Sequence, residues 1–445
     1  MKRLAIIRQA AWLTMLAAGA AGAASPELRS MLEGEEVPPG LSIRAGAFRT
    51  DNIDRVPDQE EDERVNVFEL LANWEYEGPR IDALLLGNAS YRDYQDARFD
   101  NEWRGNLFAG ANFAIVRDMF EWQLNGQFGN AVIDPLDTGG PDNVQRIDVL
   151  ETGPIVRLRA GSADSFDIGV ARAEVNAEVS QIDHSRDTAN VQWTHEFSSR
   201  SNMGIFAGVS ELSFDEGQDA EDYDRREAYL SWESSGNNRW YSLGAGRARI
   251  EFDSGVKHDA TVGWLRASLR RTSSSRLYAS FERRAGTTED LLNDDLLRPQ
   301  PVWNVTALAN PHVANTFSIR YNRGFGAHEW SAGPYLRRVD YFSSIYDQKQ
   351  HGMRFAFRFA LSPSLGVALQ ATGAESEYTE VDREDSYREA GLDFDFRFSR
   401  QWSVVAGFSY LDNDSTDPAV DFTENVVTLF LSYSPGGRSP IRSAR

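Results

Sequence analysis

The chain has 445 residues, with 67 acidic and 46 basic side chains, a formal net charge of −21 and no cysteine. This acidity argues against a nucleic-acid-binding protein, because binding to phosphates is driven by basic surfaces. The lack of cysteine excludes a disulfide framework, thiolate metal sites and a lipidated N-terminal cysteine.

The first predicted element is a secretory signal peptide over residues 1–24. Lys2, Arg3 and Arg8 precede an apolar run that reaches Leu16, and small residues follow as far as Ala24. Residues 25–40 form a predicted periplasmic leader, which is too short for the plug domain of a TonB-dependent receptor. After the signal peptide, no run of about 18 apolar residues predicts a transmembrane helix.

The stretch 102–132 alternates apolar and polar residues with period two on both sides of a short turn, which predicts two strands. These strands reach about 13 residues, whereas strands of soluble sheets are usually about 5 or 6. Such length predicts strands that cross a bilayer, with the apolar row facing lipid and the polar row facing a lumen. The apolar row consists of Trp103, Leu107, Ala109, Ala111, Phe113 and Ile115, then Phe120, Trp122, Leu124 and Phe128.

Connections of two kinds alternate along the rest of the chain. Nine short ones, rich in Gly, Ser, Pro, Asn and Asp, alternate with ten longer acidic ones, which predicts 20 strands. The prediction is an all-β, transmembrane, antiparallel up-and-down barrel over residues 41–434, with short periplasmic turns and longer extracellular loops. An irregular segment, Val144 to Arg159, widens the predicted strand number to a range of roughly 18 to 22. Residues 435–445 form a predicted periplasmic tail.

Polar side chains that share parity with the lumen face are the candidate site. Two interpretations of its arginines stay open: ion pairs along the wall with acidic neighbours, including Asp393 and Asp395, or a stripe that guides an anionic solute. Lumenal aromatic residues such as Phe108, Trp264 and Tyr335 either stack on sugar rings or fill space. The candidate lumen-lining residues are Arg104, Arg266, Arg270, Arg320, Arg337, Arg354, Arg358, Arg397, Glu121, Glu329 and Glu389.

The sequence predicts no enzyme, no cofactor and no defined metal site. Its six histidines are scattered, and neither Gly-x-Ser-x-Gly nor His-Glu-x-x-His occurs. His195 and His351 are interpreted as interface residues at strand ends. The acidic loops lack the ligand spacing of a calcium-binding loop and are predicted to bridge loosely, through divalent cations, to lipopolysaccharide phosphates.

Residues 46–53 (Gly-Ala-Phe-Arg-Thr-Asp-Asn-Ile), the hairpin from Asn106 to Asn130 and the long-strand meander resemble outer-membrane β-barrel porins found with exopolysaccharide and PEP-CTERM/exosortase systems. The resemblance implies an outer-membrane channel that serves polysaccharide secretion, and it carries over no catalytic residue. Outer-membrane lipid, lipopolysaccharide, the barrel assembly machinery and polysaccharide-secretion components are the expected partners.

Three functions stay open from the sequence. Export of an exopolysaccharide is the first, and a small-solute diffusion porin is the second. The third is a non-conducting structural or docking barrel, in which the long loop from Gly286 to Val313 folds inward and shuts the lumen.

Overall fold

The computed structural model describes residues 40–57, 61–96, 98–215, 220–287, 290, 310–342 and 345–435. The predicted signal peptide, nearly all of the leader, most of the loop from Gly286 to Val313 and the tail beyond Pro435 lie outside the described residues. Two short 3-10 turns occur in the described part, Pro141–Asn143 and Pro418–Val420. No helix among these residues is both long enough and apolar enough to cross a membrane.

Twenty strands account for most of the described residues. In chain order they are β1 (Gly40–Thr50), β2 (Glu63–Glu77), β3 (Ile81–Tyr94), β4 (Glu102–Val116), β5 (Phe120–Val132), β6 (Val144–Ala160), β7 (Asp164–Ala177), β8 (His184–Ser198), β9 (Ser201–Phe214), β10 (Tyr223–Ser235), β11 (Arg239–Phe252), β12 (Lys257–Thr272), β13 (Ser275–Gly286), β14 (His312–Phe325), β15 (His328–Tyr341), β16 (Gln348–Ser362), β17 (Leu365–Tyr378), β18 (Arg383–Arg397), β19 (Trp402–Ser415) and β20 (Phe422–Tyr433).

The sheet closes on itself. Each strand pairs antiparallel with its neighbours in the chain, and β1 pairs with β20 over the register from Ile43 opposite Tyr433 to Thr50 opposite Val426. At this seam the hydroxyl of Ser42 lies 3.0 Å from the hydroxyl of Ser432. Closure satisfies the backbone groups that would be left unpaired at an open edge. The predicted fold class, an up-and-down antiparallel barrel of about 20 strands, is confirmed.

The irregularity predicted in the segment from Val144 to Arg159 is local. Strand β6 runs through it without a break, but the register to β7 is interrupted between Thr152, opposite Arg172, and Ile155, opposite Gly169. Pro154 lies in the gap, and proline has no backbone N–H to donate to the ladder. The strand number is therefore unaffected by this segment.

Strands also extend further toward the long-loop end than the sequence predicted. The predicted loop from Tyr378 to Glu384 shrinks to residues 379–382, because β17 and β18 still pair at Tyr378 and Arg383. The outward charged residues at these strand ends, such as Glu377 and Glu384, are exposed. Their composition therefore resembles that of a loop although their backbone is extended.

A continuous apolar belt surrounds the outside of the barrel near the short turns. On β16 the belt runs from Met353 to Leu361. With a strand rise of about 3.3 Å per residue and a strand tilt of about 40° from the barrel axis, this row is roughly 20 Å high. Membrane barrels carry an apolar band of about 25 Å. Exposed members of the belt include Phe68, Ile115, Trp122, Leu124, Ile168, Val170, Ile205, Leu230, Leu265, Phe281, Leu336, Met353, Phe355, Phe394, Phe408, Val427 and Leu429.

Above the belt, toward the long loops, the outward positions become charged. Neighbouring strands are joined there by ion pairs, such as Arg172 with Asp187 at 3.1 Å and Lys349 with Glu377 at 2.9 Å. Aromatic rings border the belt at the short-turn end, where Trp402 and Tyr433 pack with their ring centroids 4.8 Å apart. The outer surface thus has the layered polarity of a barrel that crosses a bilayer.

Candidate functional site

The closed register assigns alternate residues to the lumen. On β16, for example, Phe355 and Phe357 point outward, whereas Arg354 and Arg358 point inward. The register places all eleven side chains predicted to line the lumen at inward positions. Those that also border a continuous cavity are Arg104, Arg266, Arg320, Arg354, Arg358, Arg397 and Glu389, whereas Arg270, Arg337, Glu121 and Glu329 lie elsewhere on the inner wall. Their contact with a solute stays a prediction.

The cavity has a volume of about 1160 Å³ and is bordered by a continuous arc of the wall. The arc runs from β12 to β20 and, across the seam, from β1 to the start of β6, with Asn88 and Asn106 among its polar side chains. The same cavity is bordered by residues 135–139 and Pro141 of the connection between β5 and β6. It is therefore a section of the lumen that is narrowed by a loop.

Arginines dominate the inward face of β12 to β16, which we call the basic arc. Within the described part of these strands the inward acids are Glu282 and Glu329, so positive charge is in excess. Several guanidinium groups lie over aromatic rings, as Arg354 does over Tyr335 at 4.9 Å from the ring centroid. The arginines of the basic arc are Arg266, Arg270, Arg276, Arg284, Arg320, Arg337, Arg354 and Arg358.

Some lumenal arginines form ion pairs along the wall, but with other acids than those the sequence indicated. Arg266 pairs with Glu282 at 2.9 Å, and both side chains are buried. Arg104 pairs with Glu102 on its own strand at 2.7 Å. The predicted acid Glu121 is bound instead by Arg157, at 3.3 Å. Sequence parity identifies the face of each residue but cannot give the strand-to-strand stagger that selects its partner.

Acidic side chains follow the basic arc on β18. Glu389, Asp393 and Asp395 point inward there and border the cavity. Glu424 on β20 adds a buried carboxylate, which accepts a hydrogen bond from the hydroxyl of Thr50 at 2.8 Å. The lumen is thus electrically asymmetric, and such an asymmetry produces a field across the pore.

Residues 133–143, the β5–β6 loop, fold across the lumen. Their carbonyl groups accept hydrogen bonds from three arginines, which lie on β4, in the β1–β2 connection and on β18. Arg55 donates to the carbonyl of Gly139 at 3.1 Å, Arg104 donates to that of Pro141 at 3.0 Å, and Arg383 on β18 donates to that of Leu136. Because β18 is remote from β5 around the barrel, the loop must span the opening to reach Arg383.

An internal hydrogen-bond network stabilises the shape of the β5–β6 loop. The side chain of Asn143 donates to the carbonyls of Asp134 and Thr138, at 2.7 and 2.8 Å, and accepts from the backbone N–H of Asp134 at 2.8 Å. A bond between the Thr138 hydroxyl and the Asp54 carbonyl, 3.2 Å, joins the loop to the neighbouring β1–β2 connection. Buried polar groups that are satisfied in this way favour one conformation.

We call the opening of the barrel around the β5–β6 loop the mouth. Arg55, in the β1–β2 connection, joins this loop to β20. It pairs with Glu424 at 2.9 Å while its other nitrogen reaches the β5–β6 loop. Burial disfavours the charged guanidinium, but Glu424, Tyr387 and Glu389 together outweigh this effect and raise the pKa of Arg55 above its ordinary value. The cation is therefore permanent at any physiological pH, so its contact with the loop does not depend on its own protonation.

The sequence did not predict this loop as the one that narrows the lumen. It indicated the loop from Gly286 to Val313, of which the structure describes both ends and Asp290. Asp290 forms an ion pair with the inward Arg225 on β10 at 3.0 Å. The described start of that connection therefore also turns inward, whereas its middle lies outside the described residues.

Several inward aromatic rings lie flat on the wall, above glycines. A Cβ atom at Gly244 would lie 2.4 Å from the ring of Trp264, and one at Gly352 would lie 2.7 Å from the ring of Tyr335. Tyr229 packs against Trp264 with ring centroids 5.0 Å apart. A ring that lies on a glycine presents its opposite face to the lumen, where it can stack on a flat apolar surface.

Histidines and acids elsewhere are engaged in the wall. His195 and His351 point outward near opposite ends of their strands, paired with Asp164 at 2.9 Å and with Glu375 at 2.8 Å. Within the residues that the structure describes, no group of three or more His, Asp or Glu side chains is arranged to hold a metal ion.

Comparison with known proteins gives no family. No family model and no curated protein matches the chain. Among solved structures, the FrpB iron transporter from Neisseria meningitidis (F3-3 variant) has 9% identity and a TM-score of 0.45 over 92% of this chain and 83% of that one. The copper transporter OprC has 11% identity and a TM-score of 0.44, over 90% of this chain and 81% of that one.

A third similar structure is OccK2 (OpdF) of Pseudomonas aeruginosa, with 12% identity and a TM-score of 0.38 over 89% of this chain and 98% of that one. At these identities and TM-scores, both the fold and the function of the present chain have to be argued from its own geometry.

Proposed function

We propose that this protein is an outer-membrane channel that passes anionic solutes, with an acidic exopolysaccharide as its cargo. The observation that carries the proposal is the basic arc, from which Arg266, Arg320, Arg354 and Arg358 border the lumenal cavity. Rings of one charge sign set the ion selectivity of pores. An enzyme role has no support in the arrangement of these residues.

The outer belt supports a location in the outer membrane, since its rows of exposed leucine and phenylalanine need an apolar cover. Only closed barrels and helices satisfy their backbone groups in lipid. The charged ends of the strands lie at the long-loop side, which supports an orientation with long loops outside the cell and short turns in the periplasm.

Reversal potential across a salt gradient tests the selectivity. Replacing Arg266, Arg354 and Arg358 together with Gln removes three charges from the basic arc, and we expect a shift toward cations in a barrel that still assembles. Glu282 keeps a cation in this variant, because Arg284 also lies 2.6 Å from it. The matched control replaces the outward arginines Arg172, Arg249 and Arg388 with Gln, which changes the net charge equally, and should leave the reversal potential unchanged.

Two results would contradict the proposal. An unchanged reversal potential in the open, assembled triple variant would show that the arginines only stabilise the wall. A wild-type barrel that conducts no ions in planar bilayers would favour the third alternative, a sealed structural or docking barrel.

The flat aromatic rings favour a saccharide over other anions. The two faces of a pyranose differ in polarity, and the C–H-rich face packs on aromatic rings, while a neighbouring guanidinium can pair with a uronic carboxylate. Arg266 lies 5.8 Å from the Trp264 ring centroid but is bound by Glu282. Arg354 lies 4.9 Å from the Tyr335 ring centroid and borders the cavity with it, which places both groups within reach of one sugar unit.

Current block by oligosaccharides separates a polysaccharide channel from a small-solute porin. An acidic oligosaccharide should block the wild-type channel, and Trp264→Leu should weaken this block while leaving the unit conductance in salt nearly unchanged. If the oligosaccharide blocks the wild-type and Trp264→Leu channels equally, the small-solute porin becomes the better supported function.

A further inference from the structure

Outward charges just above the belt are unevenly distributed around the barrel. On seven consecutive strands, β10 to β16, the first polar outward residue above the belt is basic or neutral, whereas on the flanking strands β8, β9 and β17 it is an acid. Arginines also occupy this position on β7 and β18, but Arg172 and Arg388 there have carboxylate partners. In strand order, the seven residues are Arg226, Arg247, Thr261, Arg283, Asn315, Arg338 and His351. This sector is locally positive on an acidic protein.

Two arginines of this sector flank Thr261 on β12. Arg247 on β11 lies directly opposite Thr261 in the register. From the other side, the Nε of Arg283 on β13 donates to the Thr261 carbonyl at 3.0 Å and to its hydroxyl at 3.2 Å. The two arginines thus lie on either side of one residue, at the upper edge of the apolar belt.

Neither guanidinium is neutralised by a carboxylate in the described structure. Arg283 bonds only to neutral oxygens, since its remaining hydrogen bond goes to Asn315 Oδ1 at 2.7 Å. Arg247 forms no ion pair with any described residue. The nearby acid Asp259 is already bound by Arg249, at 2.7 Å.

The other outward charges above the belt on β10 to β12 are paired. Arg226 binds Asp224 at 3.1 Å, and Lys257 binds Glu251 at 2.6 Å. Two positive charges, those of Arg247 and Arg283, therefore remain uncompensated at the level where lipid headgroups meet the barrel. Exposed cations at a membrane surface attract anionic headgroups.

The surface immediately below the two arginines fits acyl chains. The outward residues Ala245 and Gly263 are small and lie side by side in the register. Beneath them Leu243, Leu265 and Phe281 are exposed and form part of the belt. An amphiphile with a phosphate between the guanidinium groups would lay its chains on this surface.

We propose that Arg247 and Arg283 form a binding site for a phosphate group of an outer-leaflet glycolipid of the lipid A type. Each guanidinium presents a planar fork of N–H donors that matches two phosphate oxygens. The site rests on the proposed placement of the barrel in the outer membrane, but not on conduction through it, and it is separate from the lumen.

The site is tested by measuring equilibrium binding of a lipid probe to the detergent-solubilised full-length barrel, with native mass spectrometry as the readout. The probe is bisphosphorylated lipid A, and the comparison probe is the same lipid without phosphates. Replacing Arg247 and Arg283 together with Gln should lower the affinity for bisphosphorylated lipid A by about tenfold. The control variant, Arg172→Gln with Arg388→Gln, loses the same charge from arginines that have carboxylate partners, and its affinity should equal that of wild type.

Three results would overturn the site: an unchanged affinity in the double variant, an equal loss in the control, or equal binding of the lipid without phosphates. Displacement of lipid A by millimolar inorganic phosphate would identify a free-phosphate site instead. Gel mobility of unboiled samples establishes assembly; if the double variant does not assemble, Arg247→Gln alone should still weaken binding. A barrel that binds lipid A and conducts no ions would contradict only the proposed channel.

Discussion

The wall from β12 to β16 and the mouth around the β5–β6 loop are positioned by different forces. In the wall, strand register and the membrane-facing apolar row together fix the face of every side chain, as for Phe357 and Arg358. In the mouth, positions depend on single hydrogen bonds between distant segments, such as Arg383 to the Leu136 carbonyl. Changes to the lipid-facing row of the wall should therefore affect assembly, and changes in the mouth should affect conduction.

The largest expected effect is in the wall. Phe357→Arg places a cation on the lipid face near the middle of its strand and should cost about 2 to 4 kcal/mol of unfolding free energy in a bilayer. Arg358→Lys, at the next residue and on the lumen face, should leave the unfolding free energy nearly unchanged. Unfolding by urea in lipid vesicles measures both variants.

An assembled Phe357→Arg barrel with wild-type stability would show that β16 does not face lipid at this position. Because the two substitutions are adjacent in sequence and lie on opposite faces, the comparison also tests the assignment of the faces. A large loss in Arg358→Lys with none in Phe357→Arg would mean that the faces are inverted.

The strands of the wall and the face of each of their residues could be predicted, because both depend on the pattern of neighbouring residues in the sequence. A period-two pattern identifies strands and faces, so the alternation around Phe357 predicts both an outer and an inner row. Composition and turn residues also gave the number of strands. The partner of Arg266 could not be predicted, because Glu282 lies on the next strand and the stagger between strands is not local information.

The mouth could not be predicted for a related reason. Nothing in the composition of residues 133–143 distinguishes a loop that crosses the lumen from one that projects outward. The decisive contacts join Arg55, Arg104 and Arg383 to backbone carbonyls, which every sequence has. Loop length pointed instead to the connection from Gly286 to Val313, which is far longer; its closure of the lumen stays a prediction, because its middle lies outside the described residues.

An intermediate effect is expected when the β5–β6 loop is shortened. Replacing residues 135–140 with two glycines removes the segment that borders the cavity and should raise the unit conductance in planar bilayers. Assembly should be retained, because the apolar belt and the strand pairing are unchanged. Shortening the loop at 178–183, which does not border the cavity, is the control and should leave the conductance at its wild-type value. A wild-type conductance in the first variant would mean that another segment limits the current.

The smallest expected effect is a pH response at Asp54, which contacts the β5–β6 loop through its backbone. Burial raises the pKa of this carboxyl, Arg98 lowers it, and the negative charges of Glu61 and of Asp142 in the loop raise it further, so the net shift is upward from 3.8. The closed mouth therefore binds this proton more tightly than a mouth with the loop released.

The closed position of the β5–β6 loop should therefore become more stable as the pH falls through the raised pKa of Asp54. This gain in stability is complete below the ordinary pKa of 3.8. Protonation removes the repulsion between Asp54 and Asp142, so the unit conductance should decrease over the pH range just above 3.8. Asp54→Asn mimics the protonated side chain and should abolish this decrease, with a low conductance already at neutral pH. Asp100→Asn, at an exposed residue of the next long loop, is the control and should show the same decrease in conductance as wild type. If Asp54→Asn responds to pH as wild type does, another group closes the mouth, and the contact between Asp54 and the loop serves only to position it.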